Sequence, residues 1–256
     1  MKNSDTVQAV SNALKILEIL SDSAKGGASD IARAIGCQKS TAFRLLQTLR
    51  EAGYIVQDET DEKYSLSLKL FRIGSSAVNN LDLNKEALPV ITRLSQLTSE
   101  TIHLCTIDND QLVYLQKIES TYALKVSMMS RVGQSTPFYC TGVGKVLLAY
   151  QDAEKIQHYL RNTMFERFTE STITNSLELA AELERIRVSG FAYDNEEHEL
   201  GVQCVAAPVF DRQGKILAAV SISGPSIRLA NEKLDSFRDL VQSAAREISV
   251  KMGFIG

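Results

Sequence analysis

The sequence has few cysteines, no long apolar run and no excess of positive charge. Its four cysteines are scattered without close pairing, which argues against a disulfide framework and against a zinc cluster. No apolar stretch approaches the roughly 20 residues that a membrane-spanning helix needs. The first ten residues, MKNSDTVQAV, have no apolar segment behind a basic one, so we expect no secretory signal and a cytoplasmic location.

The charge balance limits how this chain could bind nucleic acid. The 256 residues carry a formal net charge of −3 at pH 7, which counts against indiscriminate binding to a polyanion. A DNA-binding site must therefore be a local patch. Residues 26–57 have a small excess of positive charge, with four basic residues against two acidic ones: Arg33, Lys39, Arg44 and Arg50 against Asp30 and Glu51.

The first sixty-six residues have the pattern of three helices followed by a hairpin. Apolar residues recur at steps of three and four from Val7 to Leu20, which predicts an amphipathic helix. The stretch ASDIARAIG predicts a short second helix that Gly36 can end. A third helix follows and ends at Gly53, and YIVQ and KYSL are typical of two strands around the acidic turn DETDE. This order indicates a winged helix-turn-helix, whose second motif helix enters the major groove of DNA.

The third helix has a polar outer face opposite its buried leucines. Ser40 and Thr41 are short enough to let the helix start approach phosphates or bases, and Arg44 can reach a guanine edge. Helix-helix-hairpin units also bind proteins, but this outer face has no acidic residue before Glu51, which favours DNA. The predicted DNA-contacting residues are Lys39, Ser40, Thr41, Arg44 and Gln47.

The remaining chain mixes strands and helices without a regular alternation, which predicts an α+β fold with helices packed on a sheet. Helices are expected in residues 66–80, from an N-cap at Asn84, and from Asn231 onward. TIHLCTID and QLVYLQKIE read as one hairpin, and VQCVAAPVFD and KILAAVSISG as another. The run ALKVSMMSRVG is also strand-like.

Three stretches of this second half are candidates for a ligand site. Glycines in TGVGKVLLAY open a helix whose N-terminal N–H groups suit a carboxylate. YDNEEHELGVQC carries clustered acids, and SISG places two hydroxyls on one face of a strand. Taken one at a time, a plain tight turn and a solvated acidic loop are the better explanations of the first two stretches, and a ligand is one of several partners that the strand hydroxyls could have.

The chain as a whole resembles the IclR family of bacterial transcription regulators. The resemblance starts with IARAIGCQKSTAFRLLQTLREAGYI and YSLSLKLFRIG, and continues through ETIHL, SRVGQSTPFYCTGVGKVLLA, GFAYDNEEHELGVQCVAAPVFD and AAVSISGP. It implies a winged helix-turn-helix in residues 1–66, a linker helix in 67–84 and an effector domain with a GAF-like sheet in 85–256. It also implies double-stranded operator DNA as a partner and assembly as a homodimer or dimer of dimers.

The resemblance further implies an effector site and its ligand. The family positions match Gly142, Val143, Asp194, Cys204, Ser221 and Ser223. Such a site suits a small keto or hydroxy sugar acid such as 2-keto-3-deoxygluconate, and no cofactor or metal is expected. The run containing Met128 and Met129 is about two residues longer than is usual in the family, so these methionines are either pocket residues or core fillers.

Three functional hypotheses follow. The leading one is a ligand-controlled transcription regulator that acts as a repressor. An enzyme using Cys140 or Cys204 with His103 or His198 is a second hypothesis, although the spacing of these residues does not favour it. A protein-interaction module using the helix-turn-helix face is the third.

Overall fold

The computed structural model describes residues 6–79, 82–123, 128, 130–229 and 232–255. The chain divides into two compact units, an N-terminal unit of residues 1–79 and a C-terminal unit of residues 80–256. Within the described ranges, each helix is too short or too polar to cross a membrane.

The N-terminal unit is a winged helix-turn-helix followed by one more helix, as the sequence predicts. Its elements are α1 (Gln8–Ser23), α2 (Ala28–Ala34), α3 (Lys39–Glu51), β1 (Ile55–Gln57), β2 (Tyr64–Leu66) and α4 (Leu68–Asn79). The two strands pair antiparallel, with Ile55 opposite Leu66. Apolar side chains from all three motif helices and both strands close one small core, which fixes α3 by its buried stripe and leaves its other face to solvent.

The acidic tip of the wing is tied to the loop between α1 and α2. The Lys25 ammonium lies 2.5 Å from an Asp58 carboxylate oxygen and 3.3 Å from one of Asp61. The hydrogen bond from Lys25, with further hydrogen bonds from Thr60, lowers the pKa of Asp58. Part of the negative charge that would repel phosphate at this tip is therefore neutralised within the unit.

The C-terminal unit is built on one six-stranded antiparallel sheet of order β5-β4-β3-β8-β7-β6. Its elements are α5 (Asp82–Thr98), β3 (Thr101–Asp108), β4 (Gln111–Ile118), β5 (Ser135–Thr136), α6 (Gly142–Ala149), α7 (Ala153–Asn162), α8 (Ser176–Ser189), β6 (Ala192–Asn195), β7 (Val202–Phe210), β8 (Ile216–Pro225), α9 (Ser226–Leu229) and α10 (Glu232–Lys251).

Helices cover both faces of this sheet. On one face, α5 and α10 bury a core with residues of β3, β7 and β8. On the other face, α6 packs over β7 and β8 and α8 packs on α6, and the two helices enclose a second core. The predicted α+β class is confirmed, and the second core is the one that borders the candidate site.

Two expectations for this unit need correction or fall outside the described residues. Helix α5 begins at Asp82, so Asn84 lies in its first turn and is not the N-cap; its buried amide oxygen accepts a hydrogen bond of 2.9 Å from Gln116. Of the strand expected in residues 123–133, residues 124–127 and 129 lie outside the described part. Residues 130–133 form no strand, because Gly133 turns the chain with a φ of 83° before β5.

Candidate functional site

The exposed face of α3 carries the residues expected to contact DNA. Lys39, Ser40, Thr41 and Arg44 are exposed, while Ala42, Leu46 and Leu49 are buried beneath them. The helix therefore presents short polar side chains at its start and a guanidinium one turn further on, as the spacing predicts.

Two side chains near Arg44, those of Gln47 and Phe43, differ from the polar and solvent-exposed pattern expected of this face. Gln47 is half-buried; it donates to Glu51 over 3.0 Å and accepts from Arg50 over 3.3 Å, so it must release these bonds to reach a base. Phe43 is exposed beside Arg44, although its apolar character gave no sign of a surface role. The Arg44 side chain itself forms no ion pair with the described residues, which leaves its guanidinium available for an external partner.

A polar cavity lies in the C-terminal unit between the sheet and the start of α6. It has a volume of about 40 Å³, and all six residues expected to bind an effector line it: Gly142, Val143, Asp194, Cys204, Ser221 and Ser223. Met128 also lines it, whereas Met129 lies outside the described residues.

Strand register explains why residues so distant in sequence meet here. Asp194 of β6 is opposite Cys204 of β7, which is opposite Ser223 of β8. Directly paired residues point to the same side of a sheet, so these three side chains form a row across the cavity floor. Ser221, two residues before Ser223, is on the same face and is opposite His103 of β3.

The start of α6 packs closely against its neighbours because two of its residues have no side chain. A Cβ atom at Gly142 would lie 2.8 Å from the Cys204 sulfur, and one at Gly144 would lie 2.5 Å from the Phe138 carbonyl oxygen. Thr141 caps the helix by accepting a 3.1 Å hydrogen bond from the Gly144 N–H. The N–H groups of Gly142 and Val143 have no acceptor within the helix, which makes this end suitable for an anion.

Acidic groups and one lysine are buried beside the cavity. Asp194 accepts a 2.8 Å hydrogen bond from the Glu197 N–H, and Glu197 in turn pairs with the fully buried Lys145. Lys145 is also 3.6 Å from Glu182. Burial, and next the negative charge of Glu197, raise the pKa of Asp194 to about 7, and burial also raises the pKa of Glu197. The site therefore holds a carboxyl group that changes charge near neutral pH.

His103 also lines the cavity, although the sequence singled it out only as a base in the enzyme hypothesis and not as an effector residue. Its ring is buried, its Nε2 lies 2.9 Å from the Ser130 hydroxyl, and its Nδ1 lies 3.4 Å from the hydroxyls of both Ser221 and Ser223. Burial, reinforced by the charge of Lys117, lowers the pKa of His103 to about 3, so the ring is neutral at physiological pH. The signal in the sequence that His103 faces the cavity was its position in the alternating strand TIHLCTID.

The cavity lacks the features of a nucleophilic active site. Burial raises the pKa of Cys204 to about 12 and also raises that of Cys140, so both thiols stay protonated and are poor nucleophiles. Within the described ranges, no three His, Cys, Asp or Glu side chains are grouped to hold a metal ion. A larger open groove of about 960 Å³ runs along α7, but none of the predicted effector residues lines it.

A winged helix-turn-helix with a polar recognition face, on the same chain as a domain that contains a small polar cavity, defines a DNA-binding transcriptional regulator with an effector site. The chain belongs to the IclR family. The family models for the IclR helix-turn-helix domain and for the bacterial transcriptional regulator IclR C-terminal domain match residues 9–59 and 75–250.

Similar proteins agree with this assignment. The chain is 42% identical to the HTH-type transcriptional regulator KdgR of Escherichia coli (strain K12) over 99% of this chain and 95% of that protein. It is 41% identical to KdgR of Dickeya chrysanthemi, over 99% of this chain and 82% of that protein. The crystal structure of the Thermotoga maritima IclR superposes with a TM-score of 0.76 at 32% identity, covering 96% and 98% of the two chains. These relatives are regulators, and the chain is a regulator and not an enzyme.

Proposed function

We propose that this regulator is a repressor whose operator binding is controlled by a small keto or hydroxy sugar acid, such as 2-keto-3-deoxygluconate. The observation that carries the proposal is the convergence of six residues from four separate parts of the sequence on one small cavity. The resemblance across the whole chain to the KdgR proteins supports a ligand of this class.

The chemistry of the cavity suggests how such an acid is held. The carboxylate sits at the start of α6, where the N–H groups of Gly142 and Val143 point and where the helix dipole favours negative charge. Ser221 or Ser223 donates a further hydrogen bond. An ionised Asp194 repels a carboxylate, so it accepts a hydrogen bond from a chain hydroxyl instead, which favours a polyhydroxy acid over a short keto acid.

The size of the cavity implies that its wall moves when the effector binds. A volume of about 40 Å³ has room for roughly three water molecules, which is less than a six-carbon acid needs. Met128 has a flexible side chain, and Ser130 lies in a stretch without helix or strand. We expect the Met128 side chain to move outward, while Ser130 keeps its hydrogen bond to His103 and the paired strands of the floor keep their register.

Control of DNA binding follows from linkage. An acid that binds more tightly to the conformation with low operator affinity shifts the population toward it, and operator DNA must weaken acid binding by the same factor. In the operator complex, Ser40, Thr41 and Arg44 approach the bases, and Lys39 contacts phosphate. Gln47 joins them once it releases its bonds to Glu51 and Arg50.

A specific operator requires more than one recognition helix, so we propose a homodimer or a dimer of dimers. Val10 and Leu14 are exposed on one face of α1 although they are apolar, and Val7, just before the helix, is exposed as well. A second copy of this face would cover these residues. Sedimentation of the full chain at micromolar concentration tests this proposal, and a monomer both with and without operator DNA would refute it.

The proposal also assigns a function to each part of the chain and a location in the cell. We assign residues 1–66 to DNA binding, 67–84 to the linker and 85–256 to the effector domain, in a cytoplasmic protein. The border between the two compact units, at residues 79 and 80, lies within the proposed linker.

One experiment tests the central proposal. The full chain is mixed with DNA from upstream of its own gene in a gel shift, and 2-keto-3-deoxygluconate, pyruvate or propionate is then added. Release of the DNA by the sugar acid at lower concentrations than pyruvate supports the proposal. Binding that no acid releases would leave a DNA-binding protein without this effector, and no shift at all would favour the protein-interaction hypothesis.

A further inference from the structure

His103 occupies a position between the cavity floor and the stretch that contains Ser130. On one side its Nδ1 faces the hydroxyls of Ser221 and Ser223, which are among the six predicted effector residues. On the other side its Nε2 bonds to the Ser130 hydroxyl. The same ring thus contacts both the floor of the cavity and part of its wall.

The two sides of the ring are bonded unequally. The contact to Ser130 is 2.9 Å, a normal hydrogen-bond distance, whereas both contacts to the floor serines are 3.4 Å and are weak. Ser130 is also held through its carbonyl oxygen, which accepts a 2.8 Å hydrogen bond from Lys117. The floor side is therefore where an incoming ligand oxygen replaces a poor interaction at little cost.

The neutral ring has only one N–H, so its two sides are coupled. If Nε2 carries the proton, it donates to Ser130 and Nδ1 can only accept. If Nδ1 carries the proton, it donates toward the cavity and Nε2 accepts from the Ser130 hydroxyl. A hydroxyl can both donate and accept, so Ser130 satisfies either tautomer, and the occupant of the cavity decides between them.

We propose that His103 contacts the effector directly, and that its Nδ1–H donates to a keto or hydroxyl oxygen of the bound acid while Nε2 accepts from Ser130. This proposal rests on the proposed function and names a further residue that determines specificity at the same site. A neutral donor at this point selects an acid with an acceptor oxygen beside its carboxylate, and leaves the negative charge to the start of α6.

Two substitutions separate the two sides of the ring. In His103→Asn the side-chain amide reaches about as far as Nδ1 does, whereas in His103→Gln the longer amide reaches about as far as Nε2. Calorimetric titration of the full-length protein with 2-keto-3-deoxygluconate should therefore give an affinity within about threefold of wild type for His103→Asn. For His103→Gln the loss should be about tenfold, because one buried hydrogen bond is missing.

Two control variants test whether the loss of affinity comes from the cavity side of the His103 ring. Ser130→Ala should behave like His103→Asn, since both remove only the contact to the wall. His158→Gln changes an exposed histidine on α7 and should leave affinity unchanged. Equal affinities for His103→Asn and His103→Gln, with wild-type binding intact, would overturn the role of His103 and leave the proposed function standing. A wild type that binds none of the acids would overturn both.

A measurement on the wild type does not depend on how the variants fold. Nitrogen NMR of the labelled histidine ring distinguishes a protonated Nδ1 from a protonated Nε2. The proposal expects Nδ1 to be protonated when 2-keto-3-deoxygluconate is bound. A bound state with the proton on Nε2 contradicts it, whatever the variants show.

Discussion

The two candidate sites of this chain are assembled in opposite ways. The recognition face of α3 comes from one stretch of nine residues, 39–47, and every side chain in it is placed by a single helix. The cavity draws on five strands, one helix start, the stretch before β5 and the loop after β6, spread from His103 to Ser223. A helix surface depends on local periodicity, whereas the cavity depends on strand register and on close contact between elements, so the two should respond differently to substitution.

The largest expected effect comes from the close packing that the cavity requires. Gly144→Val places a side chain against the Phe138 carbonyl oxygen, which is 2.5 Å from even a Cβ atom, and backbone cannot easily give way. We expect a loss of about 3 kcal/mol in the free energy of unfolding of the C-terminal unit, measured by denaturant titration.

Gly74→Ala in the N-terminal unit is the matched control. A Cβ atom there meets nothing within 4 Å, and α4 gains from the better helix propensity of alanine. This variant should be stabilised by about 0.5–1 kcal/mol. A harmless Gly144→Val would show that the start of α6 does not pack on the Phe138 backbone as described.

The buried carboxyl group of Asp194 predicts that the stability of the C-terminal unit depends on pH. The pKa of Asp194 is about 7 in the folded chain, against an ordinary value near 3.8, so the folded state binds this proton more tightly. The contribution of Asp194 to the free energy of unfolding therefore falls as the pH rises from near 3.8 to about 7, by up to about 1.4 kcal/mol per pH unit. Asp194→Asn removes this slope and keeps an acceptor for the Glu197 N–H.

The measurement is the difference in thermal midpoint between Asp194→Asn and wild type. This difference should grow in favour of the variant from pH 5 to pH 7 and then level off. Asp152→Asn, which changes an exposed acid, should run parallel to wild type throughout. Parallel curves for Asp194→Asn as well would mean that this carboxyl is not held in a desolvated site.

The recognition helix predicts the complementary result, a change in binding without a change in stability. Arg44→Ala removes an exposed guanidinium that forms no ion pair with the described residues, so the unfolding midpoint should stay near wild type. Operator affinity should fall by roughly 1–3 kcal/mol. Lys155→Ala, an exposed cation on α7, controls for loss of charge alone. If both substitutions weaken operator binding equally, α3 is not the helix in the groove.

The same difference explains what could be predicted from the sequence. The helix spacing sufficed for α3, and the turn DRQG between the runs VQCVAAPVFD and KILAAVSISG sufficed for β7 and β8. Periodicity could not show that Cys204 lies opposite Ser223, because register is set by the folded sheet. Family resemblance supplied the six effector residues, but not His103 or the Lys145–Glu197 pair, whose importance depends on burial and on neighbours far away in sequence. With Asn84 as N-cap the predicted helix begins at Lys85, three residues after the observed start of α5 at Asp82, because asparagine is a common cap and its burial cannot be read from the sequence.

The smallest expected effect compares two helix caps within the C-terminal unit. Thr141 caps α6 beside the cavity, and Asn175 caps α8 elsewhere by accepting a 2.8 Å hydrogen bond from the Glu178 N–H. Each substitution to alanine should lower the free energy of unfolding by about 1 kcal/mol. Thr141→Ala should also weaken acid binding severalfold, because the start of α6 frays where the carboxylate is held. Asn175→Ala should leave acid binding unchanged in the same calorimetric titration. Equal binding by both variants would place the carboxylate away from Gly142 and Val143.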